Sequence, residues 1–252
     1  SLRGWRAGRV IAATCPAVPV TAAAPNLQGG SPAAELLSLE PGERVLALST
    51  LSERTYGWAL GTAKGVVKRV NPEIIGKDAW EIIRLDDGDE VVGAVELPHD
   101  LDEFVFITSD AQLLRFPASA VRPQGRSGGG MAGIRLSAGA RVVHFGVSAI
   151  ADASVVTVAG SSSALPGTDA GSVKVTPLAE YPGKGRATAG VRCQRFLKGE
   201  DVLLLAWAGA DPAIAAAASG SPIDLPAVDP RRDGSGTPAT QPIAAVGSRY
   251  HS

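Results

Sequence analysis

One short pattern, Gly-x-x-Val followed by further apolar residues, recurs four times along the chain, beginning at Gly42, Gly88, Gly139 and Gly199. Each copy is predicted to be a turn glycine that leads into a buried strand, because glycine accepts turn conformations and runs of Val and Leu favour strands. The spacings of 46, 51 and 60 residues are close to the roughly 40–50 residues of a propeller blade. The chain is therefore predicted to be all-β, a propeller-like disc of about five small sheets.

A polar or basic residue precedes each of these glycines by four positions, and an apolar residue follows it. These residues are Ser38, Arg84, Arg135 and Arg195. A second pattern, a small residue and then a basic side chain beside apolar ones, occupies residues 65–70, 111–116 and 171–175. A loop rich in Pro and Gly follows in residues 123–130, 182–186 and 230–236, and residues 25–30 match it.

The repeat covers the chain, so residues 1–252 are predicted to form one domain, a fragment of a longer protein. The last unit, from about residue 201 to residue 246, is diverged and rich in alanine. We expect its tail to pair with the N-terminal unit, because closing the ring protects the edges of the sheets.

Charge is segregated along the chain, although the net charge is only −1. Acidic residues crowd into residues 73–110, whereas residues 111–151 contain five arginines and no acid. Because basic residues recur at equivalent places in successive units, closing the ring would align them as a curved basic stripe that attracts phosphates. The alternative is that charged strand edges only solvate the surface and deter aggregation.

The basic stripe predicts contact with duplex DNA, since arginines and glycine-rich loops suit the phosphate backbone. No aromatic platform for stacking single strands accompanies these residues. The candidate DNA-binding residues are Lys64, Lys68, Arg69, Arg115, Arg122, Arg126, Arg135, Lys174, Lys184, Arg186, Arg192, Arg195, Arg231 and Arg232.

Patterns typical of catalysis or cofactor binding lack their usual context. Gly128, Gly130 and Gly133 satisfy GxGxxG, but a strand rather than a helix is predicted to follow. Residues 86–90 are acidic but lack the spacing of a calcium loop. We therefore expect no catalytic residue, metal or cofactor in this chain.

The histidines and cysteines are scattered. His99, His144 and His251 have no plausible catalytic partners, and His144 is predicted to be a packed residue of a strand. Cys15 and Cys193 have no metal-type spacing and predict reduced thiols in a cytoplasmic protein. No window approaches the roughly 20 apolar residues of a membrane span.

Three segments, residues 61–70, 106–116 and 129–136, closely resemble a known family. They resemble the C-terminal domain of the A subunit of bacterial type IIA DNA topoisomerases. The resemblance implies a β-pinwheel of four-stranded blades that binds and bends duplex DNA around a basic outer rim and guides the transported segment. It also implies a location at the bacterial nucleoid. The implied partners are the ATPase B subunit of an A2B2 enzyme together with the rest of the A subunit.

In that family, catalysis lies outside this domain. DNA is cleaved by a tyrosine of a separate N-terminal region with Mg²⁺, and ATP is hydrolysed on the B subunit. Tyr56, Tyr181 and Tyr250 lie outside any matching motif, so no catalytic role is transferred to them.

Two enzymes of the family carry this domain. Gyrase wraps DNA with a heptapeptide of the form Gln-Arg-Arg-Gly-Gly-Lys-Gly, which this sequence lacks, so the resemblance favours topoisomerase IV and leaves gyrase as the alternative. From another functional class, a propeller that serves as a protein-interaction platform would have the same fold, and a propeller hydrolase is a more distant alternative.

Overall fold

The computed structural model describes residues 2–5, 10–13, 32–49, 56–71, 78–97 and 102–248. Strands dominate them, and the helical elements are α1 (Ala33–Leu36) and two short 3-10 helices, Ala118–Ala120 and Leu178–Glu180. Within these ranges no helix is both long and apolar enough to cross a bilayer. Cys15, His99, His251, Tyr250 and the loop at residues 25–30 lie outside the described residues.

The strands fall into five successive units. The first contains β1 (Leu2–Trp5), β2 (Val10–Ala13) and β3 (Glu43–Ala47), and the second β4 (Trp58–Thr62), β5 (Val66–Val70), β6 (Ala79–Glu81) and β7 (Val91–Glu96). The third contains β8 (Glu103–Thr108), β9 (Gln112–Pro117), β10 (Pro123–Gln124), β11 (Met131–Ala132) and β12 (Val142–Ser148). The fourth contains β13 (Ala153–Gly160), β14 (Ser172–Pro177), β15 (Val191–Arg192) and β16 (Val202–Ala210), and the fifth β17 (Ala213–Ala216), β18 (Pro222–Ile223), β19 (Thr237–Pro238) and β20 (Ala245–Ser248).

Units two to five each contribute strands to two sheets. In the third unit, β8 and β9 form an antiparallel hairpin, and β12 returns to pair with β8. Between them the chain crosses to the preceding sheet, where β10 and β11 pair with β5. The other crossing strands behave alike: β6 pairs with β2, β15 with β9 and β19 with β14. We call β6, β10–β11, β15 and β19 the exchanged strands.

The described strands make five small sheets, as the repeat predicts. Their orders are β3-β1-β2-β6, β10-β5-β4-β7 with β11 also on β5, β12-β8-β9-β15, β16-β13-β14-β19 and β18-β17-β20. The prediction for the tail is wrong over residues 245–248, because β20 pairs with β17 of its own unit. Successive units are joined by the exchanged strands, which bury an edge of the preceding sheet.

The recurring glycines occupy the turns predicted for them. Gly42, Gly88, Gly139 and Gly199 have φ values between 70° and 89°, in the left-handed region that favours glycine. The returning strands β3, β7, β12 and β16 begin within three residues of them. These turns therefore start the strand that completes each sheet.

The core lies between neighbouring sheets. Phe104, Phe106, Phe116 and Phe145 cluster between the second and third sheets, with ring centroids 4.9–6.2 Å apart. The returning strands also contact one another in order, β3 with β7, β7 with β12, β12 with β16 and β16 with β20. Side chains of the returning strands and hairpins thus hold the sheets together, and the exchanged strands add Trp80, Met131 and Val191 to the apolar clusters.

Candidate nucleic-acid interface

The predicted DNA-binding residues divide into buried and exposed groups. Lys68, Arg69 and Lys174 on the hairpin strands β5 and β14 are 0%, 6% and 2% exposed. Arg115 on β9 is largely buried as well, with a side chain 12% exposed. The prediction that these four side chains lie on the basic surface is wrong.

The two buried lysines make equivalent contacts. The Nζ of Lys68 donates to the carbonyl oxygens of Ile82 at 2.6 Å and Arg126 at 2.9 Å. The Nζ of Lys174 donates to the carbonyl oxygens of Cys193 at 3.2 Å and Arg232 at 3.0 Å, and to the hydroxyl of Thr176. Each ammonium therefore ties the chain that follows its own exchanged strand to the loop of the next unit.

Burial acts on the charge of these lysines. Desolvation lowers the pKa of Lys68 to about 8 and also lowers the pKa of Lys174, where nearby acidic groups oppose it. The carbonyl oxygens that surround each ammonium compensate part of the cost of burying it. These lysines are cross-links of the fold.

Arg69 and Arg115 also bind the following unit. The Nη1 of Arg69 donates to the carbonyls of Ala118 and Val121, both at 3.3 Å. The Nε of Arg115 donates to the carbonyl of Tyr181 at 2.6 Å, and its Nη1 pairs with Glu103 at 2.6 Å. Both arginines satisfy carbonyls beside a 3-10 helix, which explains why they turn inward.

Three other arginines occupy one exposed position that repeats. Arg84, Arg135 and Arg195 each lie three residues after the end of an exchanged strand. The sequence of buried, half-buried and exposed residues is identical over residues 81–88, 132–139 and 192–199, and all three arginines are exposed in it. Among the described residues their guanidinium groups have no hydrogen bond or ion pair. Arg84 was outside the candidate set, although its place four residues before Gly88 indicated it.

The loop of the next unit contributes a second arginine beside each of these. The backbone N–H of Arg84 donates to Gly128 at 3.4 Å, that of Arg135 to Thr188 at 3.0 Å and that of Arg195 to Gly234 at 3.0 Å. Each acceptor lies two residues after a loop arginine, which makes Arg126, Arg186 and Arg232 equivalent. We call the three sets, Arg84 with Arg126, Arg135 with Arg186 and Arg195 with Arg232, the rim pairs.

The rim pairs lie at open surface. Arg84 and Arg126 line one open groove together with Trp80, Ile83 and Ser127. Arg126 is exposed, whereas Arg186 and Arg232 are half-buried. Guanidinium groups so placed can each offer paired N–H donors to a phosphate oxygen.

The remaining candidates are exposed or engaged at the surface. The exposed side chains of Arg122 and Arg192 make no hydrogen bond or ion pair within the part of the chain that the structure describes. Lys64 donates to the carbonyl of Asp87 at 2.6 Å and Lys184 to that of Ala189 at 2.8 Å, so both keep donors for another partner.

Arg231 is neutralised locally, because it pairs with Asp229 through two hydrogen bonds of 3.0 and 2.9 Å. The Arg231 guanidinium lowers the pKa of the Asp229 carboxyl to about 2.

Acidic residues also adjoin the pair of Arg84 and Arg126, because Asp86 and Asp87 lie in the turn that follows Arg84. Ser137 and Ala138 replace those acids after Arg135, so that turn lacks the negative charge of the turn after Arg84.

The structure confirms that His144 is a packed residue, and it also describes Cys193 and the GxGxxG segment. His144 accepts a hydrogen bond from the backbone N–H of Ala208 at 3.2 Å, and burial lowers its pKa to about 4. Cys193 is a free thiol with no exposed surface, and burial raises its pKa to about 12. Residues 131 and 132 of the GxGxxG segment form strand β11, so no helix follows to present amides to a pyrophosphate.

Sequence comparison finds relatives of this chain. The family described as "DNA gyrase C-terminal domain, beta-propeller" matches residues 81–97, 102–149 and 167–205. The DNA gyrase A subunit of Escherichia coli (strain K12) is 36% identical over 170 residues, which make up 64% of this chain and 18% of that protein. The chain thus spans less than a fifth of the length of that relative.

Two solved structures share the fold. The C-terminal domain of DNA topoisomerase IV has a TM-score of 0.70 at 19% identity, covering 86% of this chain and 70% of that one. The DNA gyrase A C-terminal domain has a TM-score of 0.64 at 16% identity, covering 99% and 82%. Together with the sequence match, these similarities confirm the predicted fold class and the resemblance seen in the repeats.

Proposed function

We propose that this chain, a β-pinwheel similar to the C-terminal domains of DNA topoisomerase IV and of the DNA gyrase A subunit, binds and bends duplex DNA along its rim pairs. The observation that carries the proposal is the repeated, exposed arginine after three of the four exchanged strands, Arg84 after β6, Arg135 after β11 and Arg195 after β15. Side chains without protein partners at equal places in successive units form a track for a phosphate backbone. The track reads no bases, so binding is expected to be independent of sequence.

The same track supports a role in the whole enzyme. A rim that bends DNA would present the transported segment for strand passage during decatenation or supercoil control. The partners in that enzyme would be the ATPase B subunit together with the rest of the A subunit, in the bacterial cytoplasm at the nucleoid. Mg²⁺ and ATP would act outside this chain.

Salt-dependent binding to duplex DNA tests the proposal. Fluorescence anisotropy with labelled duplexes of unrelated sequence should give a log–log slope of affinity against salt of about −4 or steeper, at roughly −0.9 per phosphate contacted. Arg135→Gln should make the slope shallower. The matched control is Arg141→Gln, since Arg141 is also exposed but lines a different groove with Arg44 and Glu90. Duplexes of every sequence remaining unbound at low salt would replace the proposal with a protein-interaction platform.

A topology assay separates the two enzymes that carry this domain. Relaxed plasmid is bound by the chain, nicked and resealed, and the change in linking number is measured. Without the Gln-Arg-Arg-Gly-Gly-Lys-Gly heptapeptide, we expect bending with no fixed change in linking number, as suits topoisomerase IV. A reproducible change of one sign would instead indicate the chiral wrapping of a gyrase.

A further inference from the structure

The three seams, where an exchanged strand meets the loop of the next unit, do not satisfy their carbonyl groups in the same way. In two of them a buried lysine is the donor, Lys68 for the carbonyls of Ile82 and Arg126 and Lys174 for those of Cys193 and Arg232. We call these the Lys68 seam and the Lys174 seam. Ile82 and Cys193 each lie two residues before the exposed arginine of their rim pair. One ammonium with three donors thus fixes the backbone on both sides of the pair.

The third seam has Leu114 where the others have lysine. Leu114 lies three residues after Ala111, as Lys68 lies after Gly65 and Lys174 after Gly171, and all three hairpin residues have positive φ. Leu114 is 1% exposed and packs in an apolar cluster. It offers no hydrogen-bond donor to the seam, which we call the Leu114 seam.

The loop arginine and its neighbour supply the missing donors in the Leu114 seam. The Nη1 of Arg186 donates to the carbonyl of Ala132 at 2.7 Å. The backbone N–H of Ala187, a residue with φ of 65°, donates to the carbonyl of Gly133 at 2.7 Å. Gly133 is equivalent to Ile82 and Cys193, so the backbone N–H of Ala187 replaces the lysine donor at that carbonyl, and Arg186 holds the adjacent carbonyl of Ala132.

The state of the loop arginine correlates with the donor in each seam. Over residues 78–97 and 102–248, the guanidinium groups of Arg126 and Arg232 make no hydrogen bond or ion pair. Arg186, the equivalent residue of the Leu114 seam, donates a guanidinium N–H to the carbonyl of Ala132. The loop arginine is therefore unengaged in the two seams that contain a buried lysine and engaged in the Leu114 seam.

We propose that the residue at positions 68, 114 and 174 sets how many loop arginines the rim presents to DNA. Lys68 and Lys174 are positioning residues, which hold the loop backbone so that Arg126 and Arg232 are free for phosphate. Leu114 offers no donor, so the loop segment of Arg186 and Ala187 holds the seam instead, which engages Arg186 and reduces the phosphate contacts of that seam. The inference rests on the proposed function of the rim.

Exchanging the two residue types tests the inference in both directions. Lys68→Leu copies the residue used at position 114 and should turn Arg126 toward the seam. The salt slope for duplex DNA should then become shallower by about 0.9, equivalent to an affinity loss of about eightfold at 0.1 M salt. Leu114→Lys should release Arg186 and steepen the slope by the same amount, with Leu114→Met as the control for a change of side chain without a donor.

A double-mutant cycle separates positioning from general stability. On an Arg126→Gln background, Lys68→Leu should leave DNA affinity unchanged, because the side chain that it repositions is gone. An equal loss of affinity with and without Arg126, in protein whose circular dichroism shows it folded, would overturn the inference. If Leu114→Lys does not fold, the cycle on Lys68 still decides the question.

A readout without DNA distinguishes failure of the inference from failure of the proposed function. Modification of arginine by phenylglyoxal, mapped by mass spectrometry, should be slower at Arg126 in Lys68→Leu and faster at Arg186 in Leu114→Lys. Unchanged modification rates at both arginines would contradict the positioning role, whether or not the chain binds DNA. Changed rates in a chain that does not bind DNA would retain the positioning role and reject the rim as a DNA track.

Discussion

The cations on the hairpin strands and the cations after the exchanged strands have opposite roles, although both recur with the unit. Lys68, Arg115 and Lys174 lie inside and donate to backbone carbonyls of the following unit. Arg135 and Arg195 lie in solvent and, within the described residues, contribute only their backbone to such bonds. Regular spacing of charge therefore does not indicate exposure. A cationic side chain turns inward where unpaired backbone carbonyls lie within its reach.

Strand exchange creates those acceptors. The chain that leaves one sheet for the preceding one passes beside the next loop, and carbonyls there have no ladder partner. A buried carbonyl without a donor costs about 1–3 kcal/mol, so a long cationic side chain that reaches it stabilises the fold. The arginines after the exchanged strands face away from this region and remain available.

The largest expected effect comes from removing the exposed group. Arg84→Gln, Arg135→Gln and Arg195→Gln combined should lower affinity for duplex DNA by about 10²- to 10³-fold at 0.1 M salt, since each phosphate contact contributes about eightfold. The salt slope should become shallower by about 2.7. The urea midpoint should stay within error, because these side chains have no protein partner to lose.

The control for this variant is Arg141→Gln, measured alone by the same anisotropy titration. A triple variant that unfolds, or that binds DNA as tightly as the native chain, would remove the distinction between the two groups of cations.

A second prediction concerns the buried group. Arg115→Gln should lower the free energy of unfolding by about 2–3 kcal/mol, because the carboxylate of Glu103, 12% exposed, loses its partner at 2.6 Å. Urea unfolding measures this change. Adding Glu103→Gln should recover part of the loss, since no unpaired charge then remains. If Arg115→Gln kept native stability but bound DNA more weakly, Arg115 would belong to the DNA-binding surface and not to the interior contacts.

Much of the fold follows from the sequence, because its signals are local. The turns at Gly139 and Gly199 were predictable from the turn preference of glycine alone, and the returning strands follow directly from these turns. The exchange of strands is a long-range pairing that no local pattern encodes. The inward turn of Lys68 and Lys174 depends on that exchange, so sequence periodicity placed them on the surface with Arg135.

Sequence analysis found five of the six rim arginines and missed Arg84. Arg84, Arg135 and Arg195 share a fixed distance to a turn glycine, which a single sequence reveals. Arg126, Arg186 and Arg232 lie in loops that share only their Pro and Gly content, so the pairing of each with an exposed arginine rests on the backbone bonds to Gly128, Thr188 and Gly234. Backbone geometry carries that information.

A third prediction uses the neutral histidine that joins two returning strands. The pKa of His144 is about 4 in the folded chain, against about 6.5 when unfolded. The unfolded chain therefore binds more protons between these values, so stability is complete above pH 6.5 and falls as the pH drops toward 4. From pH 7.5 to pH 5 the histidine should account for a loss of about 1–2 kcal/mol.

Urea unfolding of native chain and His144→Gln at both pH values isolates this contribution, because the amide oxygen of glutamine can accept from Ala208 but does not titrate in this range. An equal loss in the two proteins would show that His144 carries no part of the acid sensitivity. Binding of DNA at pH 7.5 should be the same in both, since the histidine belongs to the interior contacts.

The smallest expected effect tests whether the turns that start the returning strands also set the rim. An added Cβ at Gly139 or Gly199 meets no atom within 4 Å, so alanine there should cost only the left-handed backbone, about 1 kcal/mol each. Arg135 and Arg195 lie four residues before these glycines, but their backbone is fixed by Thr188 and Gly234. Gly139→Ala and Gly199→Ala should therefore lower the urea midpoint slightly and leave the DNA salt slope unchanged. A shallower slope in protein that remains folded would mean that the turn, and not the neighbouring loop, positions the exposed arginines.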